Sequence, residues 1–98
     1  MQREPLILQL NALASRLRAM GVAGLYLFGS TARNEAHAGS DVDIFIDTTP
    51  NTPFSLIELA GLKDLLEDEL HVPIDITTRE SLHPLLKHDI EASAIHVL

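Results

Sequence analysis

The stretch from residue 25 to residue 47, LYLFGSTARNEAHAGSDVDIFID, constrains the fold of this 98-residue chain more than any other. An apolar run ends at Gly29-Ser30, and a second run begins after ten further residues at Asp41. Side chains along a strand alternate between its two faces. We therefore predict a strand, a Gly-Ser turn, a short polar helix and a second strand that carries Asp41 and Asp43 on one face.

This pattern has a specific chemical consequence. Two carboxylates on one strand face repel each other, and a hard cation such as Mg²⁺, which takes oxygen ligands from carboxylates and substrate phosphates, removes that cost. Backbone N–H groups at a turn leading into a helix bind anions, and Ser30 adds a hydroxyl donor. The stretch thus predicts a phosphate site beside a metal site, as phosphoryl or nucleotidyl transfer requires. The alternatives are a solvent-facing edge strand and a plain serine cap.

The spacing of these motifs is similar to that of a known family. Gly29-Ser30, followed after ten residues by Asp41-Val42-Asp43, resembles the signature of the DNA polymerase beta-like nucleotidyltransferase superfamily. The longer string GSTARNEAHAGSDVD resembles its minimal nucleotidyltransferase branch, which includes the MntA-like antitoxins of HEPN/MNT toxin–antitoxin pairs. The match is tight over the motif and loose elsewhere, through length and element order.

The rest of the chain fits an α/β fold of the two-layer α+β type. Apolar periodicity predicts helices over 4–20, 54–70 and 81–93, with Leu56, Leu85 and Leu86 directed inward, and strands over 24–28, 41–47 and 72–77. Residues 95–98 form a terminal strand or a packed tail. This order predicts a small mixed sheet. The resemblance implies that helices cover one face of that sheet and that catalytic carboxylates lie on the other.

A third carboxylate lies on the third predicted strand. Asp75 alternates with Ile74 and Ile76, so it would share a face with Asp41 and Asp43 if the strands form one sheet. The resemblance implies that these three aspartates bind metal and that Asp75 lies near the incoming hydroxyl as its base. Asp75 on a solvent-facing strand position is the alternative.

The remaining site residues surround the Gly-Ser turn. The resemblance assigns the terminal phosphates of a nucleoside triphosphate to Gly29 and Ser30. Arg33 lies close enough in sequence to reach a phosphate, or it is a surface charge on the short helix. Glu35 and Asp47 are interpreted as structural.

Composition bounds the function further. We expect one domain over residues 1–98. The absence of cysteine excludes disulfides, cysteine–zinc sites and thiol nucleophiles, and it fits a cytoplasmic location. We expect no signal peptide and no membrane span. The formal net charge of −7 argues against direct nucleic-acid binding and allows a basic protein partner.

Together these features predict an enzyme that moves AMP from ATP to a hydroxyl, with two Mg²⁺ ions as cofactors. A single small domain lacks a lobe for holding an acceptor, so a partner would supply much of that surface. The resemblance implies a HEPN-domain toxin as this partner, modified on a tyrosine within a hetero-oligomer, in a type VII toxin–antitoxin pair. The alternatives are an antitoxin that acts by binding alone and a nucleotidyltransferase for small molecules.

Overall fold

The computed structural model describes residues 3–33 and 41–98. Helices and strands alternate along most of the chain, as the sequence predicts. They follow in the order α1 Arg3–Ala12, α2 Ala14–Ala19, β1 Val22–Phe28, α3 Gly29–Ala32, β2 Val42–Thr48, α4 Leu56–Leu70, β3 Ile74–Thr78, a 3₁₀ turn Arg79–Ser81, α5 Lys87–Ser93 and β4 Ile95–His96. The predicted end of the short helix, with Glu35, lies outside the described residues.

The four strands form one mixed sheet in the order β3-β2-β1-β4. β1 pairs antiparallel with β2 and with β4, whereas β2 and β3 run parallel and are joined through α4. A parallel pair needs such a crossover, because a tight hairpin joins only antiparallel strands. The sheet places the carboxylate-bearing strands β2 and β3 side by side.

The main core lies between one face of this sheet and the helices α1, α2 and α4. The even-numbered residues of β2 enter it, together with leucines one helical turn apart on the helices. Its most deeply buried members are Leu6, Leu10, Leu17, Val22, Leu25, Leu27, Val42, Ile44, Ile46, Leu62 and Leu66. The odd-numbered residues of β2 therefore lie on the opposite face, which confirms the predicted two-layer fold.

The first two long helices differ from their predictions in detail. The helix predicted over 4–20 is divided at Leu13, where a tighter bond runs from its N–H to the Leu10 carbonyl, and Gly21, at a φ of 101°, follows its end. α4 begins at a capping box formed by Ser55 and Glu58. Leu56 was predicted to point inward but is 81% exposed, so that prediction is wrong.

The C-terminal helix is shorter than predicted. Pro84 lies in a turn closed by a 2.9 Å hydrogen bond from the Leu86 N–H to the His83 carbonyl, and α5 begins only at Lys87. Because this turn separates them from the helix, Leu85 and Leu86 are exposed, and the prediction that they point inward is wrong. Residues 95–96 form the predicted terminal strand. Within 3–33 and 41–98, every helix is too short or too polar to cross a bilayer.

Candidate active site

Strand pairing places two of the three predicted carboxylates next to each other. In the parallel β2–β3 pair, Asp43 is the partner of Asp75, and in the antiparallel β1–β2 pair it is the partner of Phe28. Asp43 therefore lies in the middle of the sheet on the face opposite the helices. Asp75 lies close enough to Asp43 to influence its carboxyl group electrostatically. The alternation of apolar and acidic residues thus brings this pair together.

Gly29 lies directly against this pair. It follows Phe28 at the end of β1 and has a φ of 65°, a conformation that residues with a side chain rarely adopt. A Cβ at this position would overlap Oδ2 of Asp43 and lie 3.2 Å from its Cγ. The turn and the carboxylate are therefore packed in contact, and only glycine permits this arrangement.

Electrostatics at Asp43 reflect this crowding. Burial is the main cause that raises the pKa of its carboxyl group, followed by the negative charges of Asp75 and Asp41, while the positive charge of Arg33 acts in the opposite direction. A carboxyl that is costly to ionise beside other carboxylates is a site where a cation would be favourable.

The other predicted site residues surround the Asp43–Asp75 pair. Ser30 is half-buried in α3, which follows directly from β1, and the start of this helix has no side-chain cap among the described residues. Arg33 ends α3 and is exposed, and it lies close enough to Asp43 to influence its pKa. Asp41 is exposed at the residue before β2. The predicted site residues thus lie on β2 and β3, directly before β2, or in the turn and short helix that follow β1.

The donor set fits a hard cation in part. The Asp43–Asp75 pair offers two neighbouring carboxyl groups, and Mg²⁺ in nucleotide sites often takes only one or two carboxylates together with phosphates. In the part of the chain that the structure describes, no three acidic or histidine side chains are grouped closely enough to hold a metal by themselves. Asp41 is therefore not drawn into a closed cluster with the pair.

A recess of about 180 Å³ lies on the helical side, between α1 and the end of α4, where its lining includes Gln9, Leu13 and Glu69. It contains none of the predicted site residues, so it is not where we place the chemistry.

The family model of the nucleotidyltransferase domain matches residues 9–97. The chain belongs to this nucleotidyltransferase family. The family predicted from the Gly-Ser and aspartate motifs is thereby confirmed, and the match extends from α1 to the C-terminal strand. This nucleotidyltransferase domain is similar to a Methanocaldococcus jannaschii protein with the provisional name protein adenylyltransferase MJ0126, at 40% identity over 78% of this chain and 76% of the relative.

Solved structures share the fold. A provisionally named minimal nucleotidyltransferase superposes with a TM-score of 0.82 and 33% identity, over 97% of this chain and 95% of the other. A toxin–antitoxin structure with AMP-PNP gives a TM-score of 0.74 at 22% identity, over 90% of this chain and 71% of the other. A complex of a tri-AMPylated Shewanella oneidensis HEPN toxin with an MNT antitoxin gives a TM-score of 0.67 at 20% identity, over 93% of this chain and 70% of the other. The last two likenesses concern the fold alone.

Sequence reasoning did not identify a second cluster on the carboxylate face. Arg79, directly after β3, forms ion pairs with Asp47 on β2 and with Glu91 on α5. Its hydrogen bonds to Asp47 hold the pKa of that carboxyl below its usual range. The guanidinium lies 4.9 Å from the ring centre of Tyr26. The signal that could have revealed the cluster is Arg79 itself, a lone cation that follows a strand on the same sheet as the odd-numbered Asp47.

Proposed function

We propose that this nucleotidyltransferase domain transfers AMP from ATP to a hydroxyl group of a HEPN-domain toxin, a tyrosine hydroxyl in the simplest case, and so acts as the antitoxin of a type VII pair. The observation that carries the proposal is that Asp43 and Asp75 are direct partners in the β2–β3 pairing and that Gly29 packs against Asp43. The 40% identical relative, named as a protein adenylyltransferase, and the complex of an AMPylated HEPN toxin with an MNT antitoxin support the choice of acceptor.

The proposed mechanism assigns each residue a role. Asp43 and Asp75, with Asp41 nearby, would hold Mg²⁺, which when bound supplies positive charge that stabilises the attacking and leaving oxygens. Gly29 and Ser30 would bind the terminal phosphates through backbone and hydroxyl donors. Arg33 would add a further charge-assisted hydrogen bond to a phosphate.

The transfer step itself needs a base. The acceptor oxygen forms a bond to the α-phosphorus while the bond from that phosphorus to the bridging oxygen breaks, and pyrophosphate leaves. The proton of the acceptor hydroxyl passes to Asp75. Asp75 suits this role because it is exposed, whereas its partner Asp43 is half-buried. An acceptor protein can therefore reach Asp75 from solvent.

A second candidate is an antitoxin that neutralises its partner by binding alone. The observation in its favour is that Asp41 does not join the other two carboxylates in a closed metal-binding group within residues 3–33 and 41–98. On this hypothesis the site is vestigial, and the acidic surface alone attracts the partner. The proposed enzyme and this binding module make opposite predictions about covalent modification.

Labelled ATP separates the two candidates. The purified chain, Mg²⁺ and the HEPN-domain partner are incubated with ATP labelled either at the α- or at the γ-phosphate. We expect label on the partner from α-labelled ATP only, and loss of that label in Asp43→Asn and Asp75→Asn. Asp64→Asn, an exposed carboxylate on α4, is the matched control and should transfer normally. Neutralisation of the toxin without covalent label would support the binding module and overturn the enzyme.

A further inference from the structure

All three guanidinium nitrogens of Arg79 donate hydrogen bonds to carboxylates. Its Nε and Nη2 donate hydrogen bonds of 2.7 and 3.0 Å to the two oxygens of Asp47, and its Nη1 donates one of 2.7 Å to Glu91. The side chain is only 28% exposed. Two parallel bonds to one carboxylate fix both distance and orientation, which a single-point contact from lysine would not do.

Two aromatic rings lie against the guanidinium group of Arg79. The central carbon of Arg79 lies 4.9 Å from the ring centre of Tyr26 and 5.0 Å from that of Phe45. These two rings stack on each other at 4.7 Å with an angle of 9°. Phe45 lies two residues from Asp43 on the same strand, so the stack and the carboxylate pair share one sheet face. Arg79 is therefore anchored on the candidate active face.

The ion pair lies in register with the strand pairing. Asp47 and Arg79 are 32 residues apart, the separation that also relates Asp43 to Asp75 and every other partner in the β2–β3 ladder. The last backbone pair is Ile46 with Thr78. The Arg79–Asp47 contact thus extends the ladder by one position, through side chains, at the end opposite the carboxylate pair.

This position matters because β3 is a short strand at the edge of the sheet. Among the described strands, its five residues pair with β2 alone. A shift of one residue would turn Asp75 toward the helices, and a shift of two would move it about 7 Å along β2. Ile74 is buried and Ile76 is partly buried against the core, so apolar packing resists a shift of one residue but not a shift of two, which keeps the same residues facing the core.

We propose that Arg79 is a positioning residue that fixes the register of β3 on β2 and thereby holds Asp75 opposite Asp43. Arg79 acts through Asp75 and does not itself touch the substrate. Its third bond, to Glu91, ties the same anchor to α5, which leads into β4 on the other edge of the sheet. The catalytic consequence rests on the proposed AMP transfer, whereas the structural consequence does not.

The catalytic part is tested with Arg79→Met and the conservative Arg79→Lys. We expect kcat for AMP transfer to fall about 100-fold in Arg79→Met, with KM for ATP within a few-fold of wild type, because misplacement of a reacting group by about 1 Å costs this much. Arg79→Lys should recover part of the loss. A kcat for Arg79→Met equal to that of wild type would overturn the catalytic part of the inference.

Hydrogen exchange tests the register without any activity. In Arg79→Met we expect the amides of Ile74–Thr78 to exchange about ten-fold faster, and in Arg79→Lys by a smaller factor, with those of α4 unchanged. Arg16→Met, which removes an exposed ion pair with Glu69, is the matched control and should leave β3 unchanged. Unchanged β3 exchange in both Arg79 variants, or uniform acceleration over the whole chain, would overturn the inference. If the wild type transfers no AMP, the proposed function fails but this measurement still decides the role of Arg79.

Discussion

Replacement of Gly29 by alanine should remove activity out of proportion to its effect on stability. At a φ of 65° an alanine costs about 1–2 kcal/mol of folding free energy. For a domain of this size, that cost lowers Tm by roughly 4–16 °C. The new Cβ would also overlap Oδ2 of Asp43. This atom is the end of a side chain, so the overlap is relieved by rotation of the carboxylate away from Asp75.

That rotation is where the functional loss arises. A carboxylate displaced by about 1 Å should reduce AMP transfer about 100-fold, even at temperatures where the variant is fully folded. Gly61→Ala is the control, because Gly61 is exposed on α4 and has no atom within 4 Å of an added Cβ. It should gain about 0.5–1 kcal/mol from helix propensity and keep full activity.

The assay combines thermal melts with label transfer from α-labelled ATP at a temperature well below both melting points. In an Asp43→Ala background the overlap with the carboxylate is gone, so Gly29→Ala should there show only the cost of its φ. Wild-type transfer rates in Gly29→Ala would refute the reasoning, since they would mean that the position of the Asp43 carboxylate is irrelevant. A melting temperature equal to that of wild type would refute the backbone part.

Three further substitutions test separate parts of the account. Asp43→Asn should raise Tm at pH 7 while abolishing transfer. Burial and the neighbouring carboxylates raise the pKa of Asp43, which makes its charged form unfavourable in the folded state. The gain in Tm should therefore shrink as the pH falls through that raised pKa. Thr31→Val should leave Tm unchanged or raise it, since the buried Thr31 hydroxyl has no hydrogen-bond partner in the described part of the chain. A loss of more than about 1 kcal/mol in the free energy of unfolding would show that the hydroxyl has a partner. Ser55→Ala should cost about 1 kcal/mol through the lost helix cap, measured by chemical denaturation, with transfer unaffected.

The sheet and its acidic face were predictable because strand periodicity carries that information. Alternation in residues 41–47 places Val42, Ile44 and Ile46 in the core, so Asp43 must lie on the other face. The same parity applies to Asp75. Glycine at the end of β1 was equally informative, since its positive φ is required by the turn.

Details that depend on tertiary context were not predictable. Apolar spacing indicates which side of a helix is buried but not how far the sheet extends beneath it, and Leu56 therefore appeared to be a core residue although it is exposed. Pro84 moves the start of α5 to Lys87, which leaves Leu85 and Leu86 in a turn. The role of Arg79 depends on two carboxylates far away in sequence, and no local pattern brings these three residues together.

A crystal structure of the chain with Mn²⁺ and AMP-PNP tests the central claim most directly, because anomalous scattering locates the cation independently of the rest of the density. The account predicts a manganese peak between the carboxylates of Asp43 and Asp75, with the nucleotide phosphates against Gly29 and Ser30. A bound nucleotide with the cation away from both Asp43 and Asp75 would contradict it.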